Sequence, residues 1–258
     1  MITILTPSKT MDFSADTPGY VTPRLPYFAK EAASIRSTVA SYDTDAIMKL
    51  MRVSRPLAER VVAQYNDPVV PKAALWAYRG DVFKGLQAWT LDAESVAFAE
   101  AHVLVPSAVY GLLRPSDLIE PYRLEMNAKL RIDGAKDLHD YWGGRLASYV
   151  AERPELHGEL CVLSSEEYSR ALVANLPKSI GVVTPAFIDR KPNGLEAQVP
   201  IYNKMMRGAM ARWIVDNQID TAADLVNFSG HGYSYSQERS RTGRPVFFRG
   251  EMKPLRFD

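Results

Sequence analysis

Residues 107–127 read SAVYGLLRPSDLIEPYRLEMN, and this stretch says more about the fold than any other part of the chain. It crowds cations, carboxylates and tyrosines together with two prolines, Pro115 and Pro121. A solvated helix does not hold two prolines, because proline removes a hydrogen-bond donor and clashes with the preceding turn. A core strand does not hold this much charge, because buried charge is costly unless it is paired. The pattern predicts an irregular loop, which serves either as a functional site or as a buried Arg–Glu network that pins the backbone.

The composition of the whole chain is that of an ordinary globular protein. Its 258 residues are 47% hydrophobic and 24% charged, and the formal net charge is +1. No overall field therefore points to a nucleic-acid partner, so such binding requires a local basic patch. The single cysteine, Cys161, excludes an intrachain disulfide, and the four histidines are too scattered for a zinc site. We therefore expect no metal and no cofactor.

Neither a signal peptide nor a membrane span is predicted. The N-terminal run MITILTPSKTMDF is interrupted too early by Pro7 and Lys9. Every apolar run is shorter than the roughly 20 residues that cross a bilayer. We expect a cytoplasmic protein without membrane contact.

Helical and strand patterns alternate irregularly along the chain, without a strict βαβ rhythm. We predict strands at Ile2–Leu5, Val103–Val105, Leu124–Ile132, Leu160–Leu163, Ile180–Phe187, Gln198–Ile201, Leu225–Phe228 and Val246–Phe248. We predict helices at 27–41, Asp45–Tyr65, Asp92–Ala101, Leu138–Val150 and Lys204–Gln218. Together these elements indicate an α/β (mixed α+β) fold, with one compact domain over residues 1–258, a mixed sheet and peripheral helices.

Polar residues recur at the ends of the predicted elements. Because loops at strand ends converge on one crevice in α/β folds, we expect a shared cleft. Its cations suit a phosphate group, since arginine offers a bidentate fork and lysine a movable charge. Taken singly, each cation is equally consistent with a surface charge or a structural ion pair. The cations in question are Lys9, Arg114, Arg123, Lys204 and Arg207.

Three residues are candidates for acid–base chemistry: Asp81, Glu125 and His231. A carboxylate among cations stays ionised, so Asp81 or Glu125 suits a base better than an acid. His231 lies between two glycines and titrates near neutral pH, although a loop histidine without a role is the alternative. The glycine-rich run around His231 matches neither the Walker nor the dinucleotide pattern.

The segment Asp45–Tyr65 is the best candidate for binding nucleic acid. Pro56 suits a first helical turn, so the break at Ser54-Arg55-Pro56 predicts two short helices joined by a hairpin. Such a hairpin directs backbone N–H groups at a phosphate. A plain packed hairpin is the alternative. The cations assigned to DNA contact are Lys49, Arg52, Arg55 and Arg60.

Several segments resemble the bacterial YaaA family of peroxide-stress resistance proteins, from residue 2 to about residue 248. They are TPSKTMDF, YRGDVFKGL, the 107–127 stretch, KDLHDYWG, SSEEYS and NKMMRGAMARWI. The resemblance implies a single mixed α/β domain with a positively charged cleft and a helix–hairpin–helix element over about 45–65. The cleft positions that it implies are Lys9, Asp81, Tyr110, Arg114, Arg123, Glu125, Lys204 and Arg207.

Two functions follow as hypotheses. In the first, implied by the resemblance, the protein binds duplex DNA through its backbone and helps to limit iron-driven damage under peroxide stress. In the second, it is an enzyme that acts on a phosphorylated or nucleotide-like small molecule in the same Arg/Lys/Glu cleft.

Overall fold

Two five-stranded sheets organise the chain, whose residues 1–257 are described by a computed structural model. The strands are β1 (Ile2–Leu5), β2 (Thr10–Met11), β3 (Lys72–Ala73), β4 (Tyr78–Arg79), β5 (Val103–Ser107), β6 (Gly111–Leu113), β7 (Leu118–Ile119), β8 (Glu159–Leu163), β9 (Gly181–Val183), β10 (Ala186–Arg190), β11 (Glu196–Ala197), β12 (Ser229–Gly230), β13 (Tyr233–Tyr235) and β14 (Val246–Arg249). The α-helices are α1 (Ala29–Ala40), α2 (Thr44–Met51), α3 (Arg55–Asn66), α4 (Ala74–Ala77), α5 (Asp81–Leu86), α6 (Ala93–His102), α7 (Leu138–Ala151), α8 (Glu166–Asn175) and α9 (Pro200–Asp216).

The first sheet has the order β6-β5-β1-β8-β9 and is parallel except for the edge strand β6. Its central strand β1 is buried along its whole length, and Thr3 lies opposite both Val103 and Cys161. A parallel strand covered on both faces is apolar almost throughout, which explains the run ITIL. Helices α6 and α9 pack on this sheet, as do α7 and α8.

The second sheet has the order β11-β10-β14-β13-β12 and contains one parallel pair, β10 with β14. Its core is aromatic, with Phe187 and Phe247 stacked at 5.6 Å between ring centroids. At one end Asp189 is fully buried, and it accepts hydrogen bonds from the Tyr233 hydroxyl and from Arg249 Nε, both at 2.7 Å. Arg249 is only 4% exposed, so this sheet encloses a charged pair.

Helices α5 and α9 approach so closely that glycine is required at the contact. A Cβ atom on Gly208 would lie 1.8 Å from the carbonyl oxygen of Val82, and one on Gly85 would lie 2.1 Å from that of Met205. The two backbones are therefore in direct contact. This contact fixes the first turn of α5, which begins at Asp81, against α9.

The predicted fold class is confirmed: this is a mixed α/β domain with helices packed around mixed sheets. Among residues 1–257, no helix is both long and apolar enough to cross a membrane.

Several predicted elements were wrong. Leu124–Ile132 has the burial alternation of a strand, but its backbone forms only an isolated bridge between Ile132 and Ala135, since no neighbouring strand pairs with it. Leu225–Phe228 lies within and just after a 3₁₀ helix, and Gln198–Ile201 runs into α9, whose first residue is Pro200. Proline fits a first helical turn because its missing N–H has no intrahelical partner there. Helix α8 was not predicted at all.

Candidate functional site

A cleft of about 600 Å³ separates the α2–α3 connection from the chain that follows Pro121. We call it the hairpin cleft. Its lining residues include four cations and a single carboxylate. They are Lys49, Leu50, Met51, Arg52, Val53, Arg123, Glu125, Asn127, Ala128 and Lys129.

The α2–α3 connection is a tight turn without glycine. Arg52 ends α2 in the left-handed conformation, with φ 53° and its N–H bonded to the carbonyl of Met48. Only Arg52, Val53 and Ser54 separate the two helices, and Pro56 lies in the first turn of α3. This turn presents the exposed side chains of Lys49 and Arg52 to the cleft.

The other two hairpin cations lie outside the cleft lining. Arg55 forms an ion pair with Asp45 of α2 at 2.5 Å, which joins the two helices of the hairpin. Arg60 is exposed on α3. Of the four cations assigned to DNA contact, the structure therefore brings only Lys49 and Arg52 into the hairpin cleft.

Buried side chains hold the hairpin against the opposite wall. Ile47, Ala58 and Val61 are almost completely buried beneath it. Tyr65 of α3 donates a hydrogen bond to the carbonyl of Arg123 at 3.4 Å, and the Arg36 guanidinium lies 5.1 Å from the Tyr65 ring. The two walls of the cleft are thus joined through the domain core.

Three predicted site residues meet around the carboxylate of Glu125, which lines the cleft with Arg123, while Lys9 lies beside the lining. Lys9 Nζ lies 2.6 Å from Glu125 Oε1, and Arg123 Nη2 lies 3.6 Å from the same oxygen. Arg123 Nε is buried and has no hydrogen-bond partner among the described residues. A smaller pocket adjoins this group, and its lining residues include Lys9, Tyr122 and Tyr168. Glu125 and Arg123 line both cavities.

Lys9 reaches this point because the chain turns sharply after β1. Strand β2 pairs with β4, so Thr10 lies opposite Arg79. The turn also needs Gly80, which has φ 109° and where a Cβ atom would lie 2.8 Å from Ser8 Oγ. The carboxyl end of β1 therefore delivers Lys9 to the smaller pocket beside the cleft.

The first half of the 107–127 stretch is structural. Asp117 is completely buried and accepts hydrogen bonds from the backbone N–H, Nε and Nη2 of Arg114, at 2.9, 3.1 and 2.9 Å. The Tyr110 hydroxyl accepts a hydrogen bond from the N–H of Glu120 at 3.0 Å. Tyr110 and Arg114 thus form the buried network that pins the loop, while Arg123 and Glu125 face the cleft.

The remaining candidates lie elsewhere. Asp81 forms an ion pair with Lys84 at 3.5 Å, and Lys204 is exposed on α9. Burial lowers the pKa of Arg207, whose Nε lacks a hydrogen-bond partner among the described residues. None of these three residues belongs to the hairpin-cleft lining.

His231 belongs to a separate pocket of about 380 Å³ in the second sheet. Its ring lies 4.2 Å from that of Phe257. Burial, together with the charge of Arg249, lowers its pKa and so favours the neutral imidazole. It lies outside the lining of the hairpin cleft.

Two polar residues of the cleft lining, Asn127 and Lys129, were absent from the predicted site. Residues 124–132 alternate between buried even positions and more exposed odd positions. The sequence shows the same alternation, with apolar residues at the even positions and polar residues at the odd ones. This pattern could have predicted that Lys129 lies on the same side of the chain as Arg123 and Glu125. Among residues 1–257, no group of three or more His, Cys, Asp or Glu side chains is arranged to hold a metal ion.

These features define a class of protein: a mixed α/β domain in which the α2–α3 connection forms one wall of a cleft lined by four cations and one carboxylate. The chain belongs to the family described as peroxide stress protein YaaA, whose family model matches residues 1–239. The family predicted from the sequence motifs is therefore confirmed.

This chain is similar to proteins from three bacterial genera over nearly the full length of each, and all three are named UPF0246 protein. That of Alteromonas mediterranea is 33% identical over 258 residues, covering 97% of this chain and 99% of the relative. The relative from Polynucleobacter asymbioticus is 36% identical, and the match covers 98% of this chain and 100% of the relative. The relative from Francisella tularensis subsp. holarctica is 36% identical, and the match covers 93% of this chain and 96% of the relative.

Proposed function

We propose that this member of the peroxide-stress family binds duplex DNA through its phosphate backbone and thereby helps to limit iron-driven damage. The observation that carries the proposal is the charge of the hairpin cleft, where four cations and one carboxylate share a single lining. The proposed contacts to phosphate come from Lys49 and Arg52 on the hairpin, with Arg123 and Lys129 on the opposite wall.

The physical basis is electrostatic. Each cation that neutralises a phosphate releases condensed counterions from the duplex, so affinity falls steeply as salt rises. Phosphate contacts position a protein on DNA without reading its sequence. Because the net charge is only +1, binding depends on this local grouping rather than on the overall field.

A double variant tests the proposal. We expect Lys49→Ala with Arg52→Ala to weaken duplex binding at least about tenfold and to reduce the slope of log affinity against log salt by about two. The measurement is fluorescence anisotropy of a labelled duplex across a salt series. Both side chains are exposed, so the folded state is expected to survive the change.

Lys178→Ala is the control, since it removes one exposed lysine that lies outside the cleft lining. Lys178 precedes β9, at the amino end of the parallel strands, whereas Lys9 follows the carboxyl end of β1. An unchanged slope in the double variant, or an equal loss in the control, would assign DNA binding to another surface.

A second candidate function is an enzyme that acts on a phosphorylated or nucleotide-like small molecule. It is favoured by the position of Glu125, which lines both cavities beside Lys9 and Arg123. In such an enzyme Glu125 is the candidate general base. Strong displacement of the labelled duplex by one mononucleotide would support it, and no displacement by any of them would count against it.

A further inference from the structure

The carboxylate of Glu125 occupies the position that an anionic ligand would take. Lys9 Nζ and Arg123 Nη2 both lie within ion-pair distance of Glu125 Oε1, at 2.6 and 3.6 Å. Two cations that converge on one oxygen are arranged as they would be around a phosphate oxygen. We infer that Lys9 and Arg123 form a phosphate site whose occupant in the free protein is the side chain of Glu125, and that a bound phosphate displaces it.

The contact has the properties of a replaceable one. The Lys9 side chain is 52% exposed and that of Glu125 is 31% exposed, so water competes with the pair. Exposed pairs of this kind add little to folding stability. The Glu125 side chain can therefore move away from Lys9 at little cost to the stability of the fold.

Arg123 has unused capacity for a ligand. Its Nη2 is the less tightly held partner of Glu125, and its Nε is buried with no hydrogen-bond partner among the described residues. A carboxylate offers a guanidinium two acceptor oxygens and one negative charge. A terminal phosphate, such as those of pyrophosphate, offers three oxygens and more negative charge, whereas a backbone phosphodiester offers the same single charge as a carboxylate. A phosphate bound here would therefore make contacts with Arg123 that Glu125 leaves unmade.

This inference rests on the proposed binding of a phosphate backbone in the hairpin cleft, because Glu125 and Arg123 line that cleft. It assigns Glu125 an inhibitory part: the residue competes with the ligand instead of recruiting it. The sign of its effect follows directly. Removing the charge of Glu125 should strengthen the binding of phosphate groups.

We expect Glu125→Gln to raise affinity for a labelled DNA duplex and for inorganic pyrophosphate by about three- to tenfold, because a repelling charge is lost and two cations are freed. Duplex binding is measured by anisotropy and pyrophosphate binding by calorimetry. Adding Lys9→Ala to Glu125→Gln should abolish most of the gain. Thermal denaturation of each variant confirms that it is folded.

Glu120→Gln is the matched control. It removes the same charge from the same segment, and Glu120 pairs with Arg36 at 2.5 Å, outside the cleft lining. The control corrects for the change in net charge, so only the excess effect of Glu125→Gln counts. An effect equal to that of Glu120→Gln, or a loss of affinity for both probes, would overturn the inference.

The two probes separate this inference from the proposed function. Tighter pyrophosphate binding by Glu125→Gln, with no duplex binding by any variant, would support the phosphate site and refute the DNA-binding proposal. Salt-dependent duplex binding that is equally unchanged in Glu125→Gln and in Glu120→Gln would support the DNA-binding proposal and refute the phosphate site occupied by Glu125.

Discussion

Gly208→Ala is expected to destabilise the protein by about 3 kcal/mol or more, because the added methyl group would have to displace backbone atoms. Its Cβ would lie 1.8 Å from the Val82 carbonyl oxygen and 2.9 Å from the N–H nitrogen of Leu86. Neither atom belongs to a flexible side chain, so α5 and α9 must separate. Urea denaturation followed by circular dichroism measures the loss.

Gly144→Ala provides a control of opposite sign. Gly144 lies within α7, and a Cβ atom added there would meet no neighbouring atom within 4 Å. Alanine in an open helical position is expected to stabilise by about 0.5–1 kcal/mol, since glycine loses more backbone entropy on folding. Similar unfolding midpoints for the two variants would show that the α5–α9 contact is not the tight one described above.

Asp189→Ala is expected to cost about 3–5 kcal/mol, because it leaves a buried guanidinium without its counter-ion. Asp189 and Arg249 are 0% and 4% exposed, and Arg249 Nε donates to the carboxylate at 2.7 Å. The loss also removes the acceptor of the Tyr233 hydroxyl. The free energy of unfolding from urea denaturation is the measurement.

An exposed pair in the same region gives the comparison. Glu251 and Lys253 lie 2.9 Å apart with side chains 74% and 70% exposed. Glu251→Ala is therefore expected to change stability by no more than about 1 kcal/mol. A small effect of Asp189→Ala, similar to that of Glu251→Ala, would mean that the second sheet does not depend on its enclosed charge pair.

The sequence contained most of the information needed for the first sheet. The runs at β1, β5 and β8 are short and apolar, as parallel strands covered on both faces must be. The second sheet was harder to predict. Strands β9 and β10 are separated only by Thr184 and Pro185, yet they belong to different sheets, and no local pattern signals that the chain changes partners there.

The candidate site, like the two sheets, could be predicted only in part from the sequence. The position of Lys9, Arg123 and Glu125 at predicted element ends was enough to suggest that they meet. Arg114 has the same residue type and lies in the same stretch as Arg123, but it pairs with the buried Asp117. Sequence alone does not distinguish the two arginines, because the difference lies in burial, which depends on the tertiary contacts.

The adjacency of the hairpin and the loop was not predicted either. It depends on Tyr65 reaching the carbonyl of Arg123 and on Arg36 packing against the Tyr65 ring. These contacts join parts of the chain that are far apart in sequence. The spacing of residues within a single segment does not predict such tertiary contacts.

The position of β1 at the centre of the first sheet has a consequence for biosynthesis. Ile2–Leu5 is synthesised before both of its neighbours, which are Val103–Ser107 and Glu159–Leu163. At about 5–20 residues per second, roughly 10 seconds or more pass before the second neighbour is made. Throughout that interval an apolar segment of the nascent chain lacks its final partners. We therefore expect the newly made protein to depend on chaperones until β8 has been synthesised, although β1 is fully buried in the folded protein.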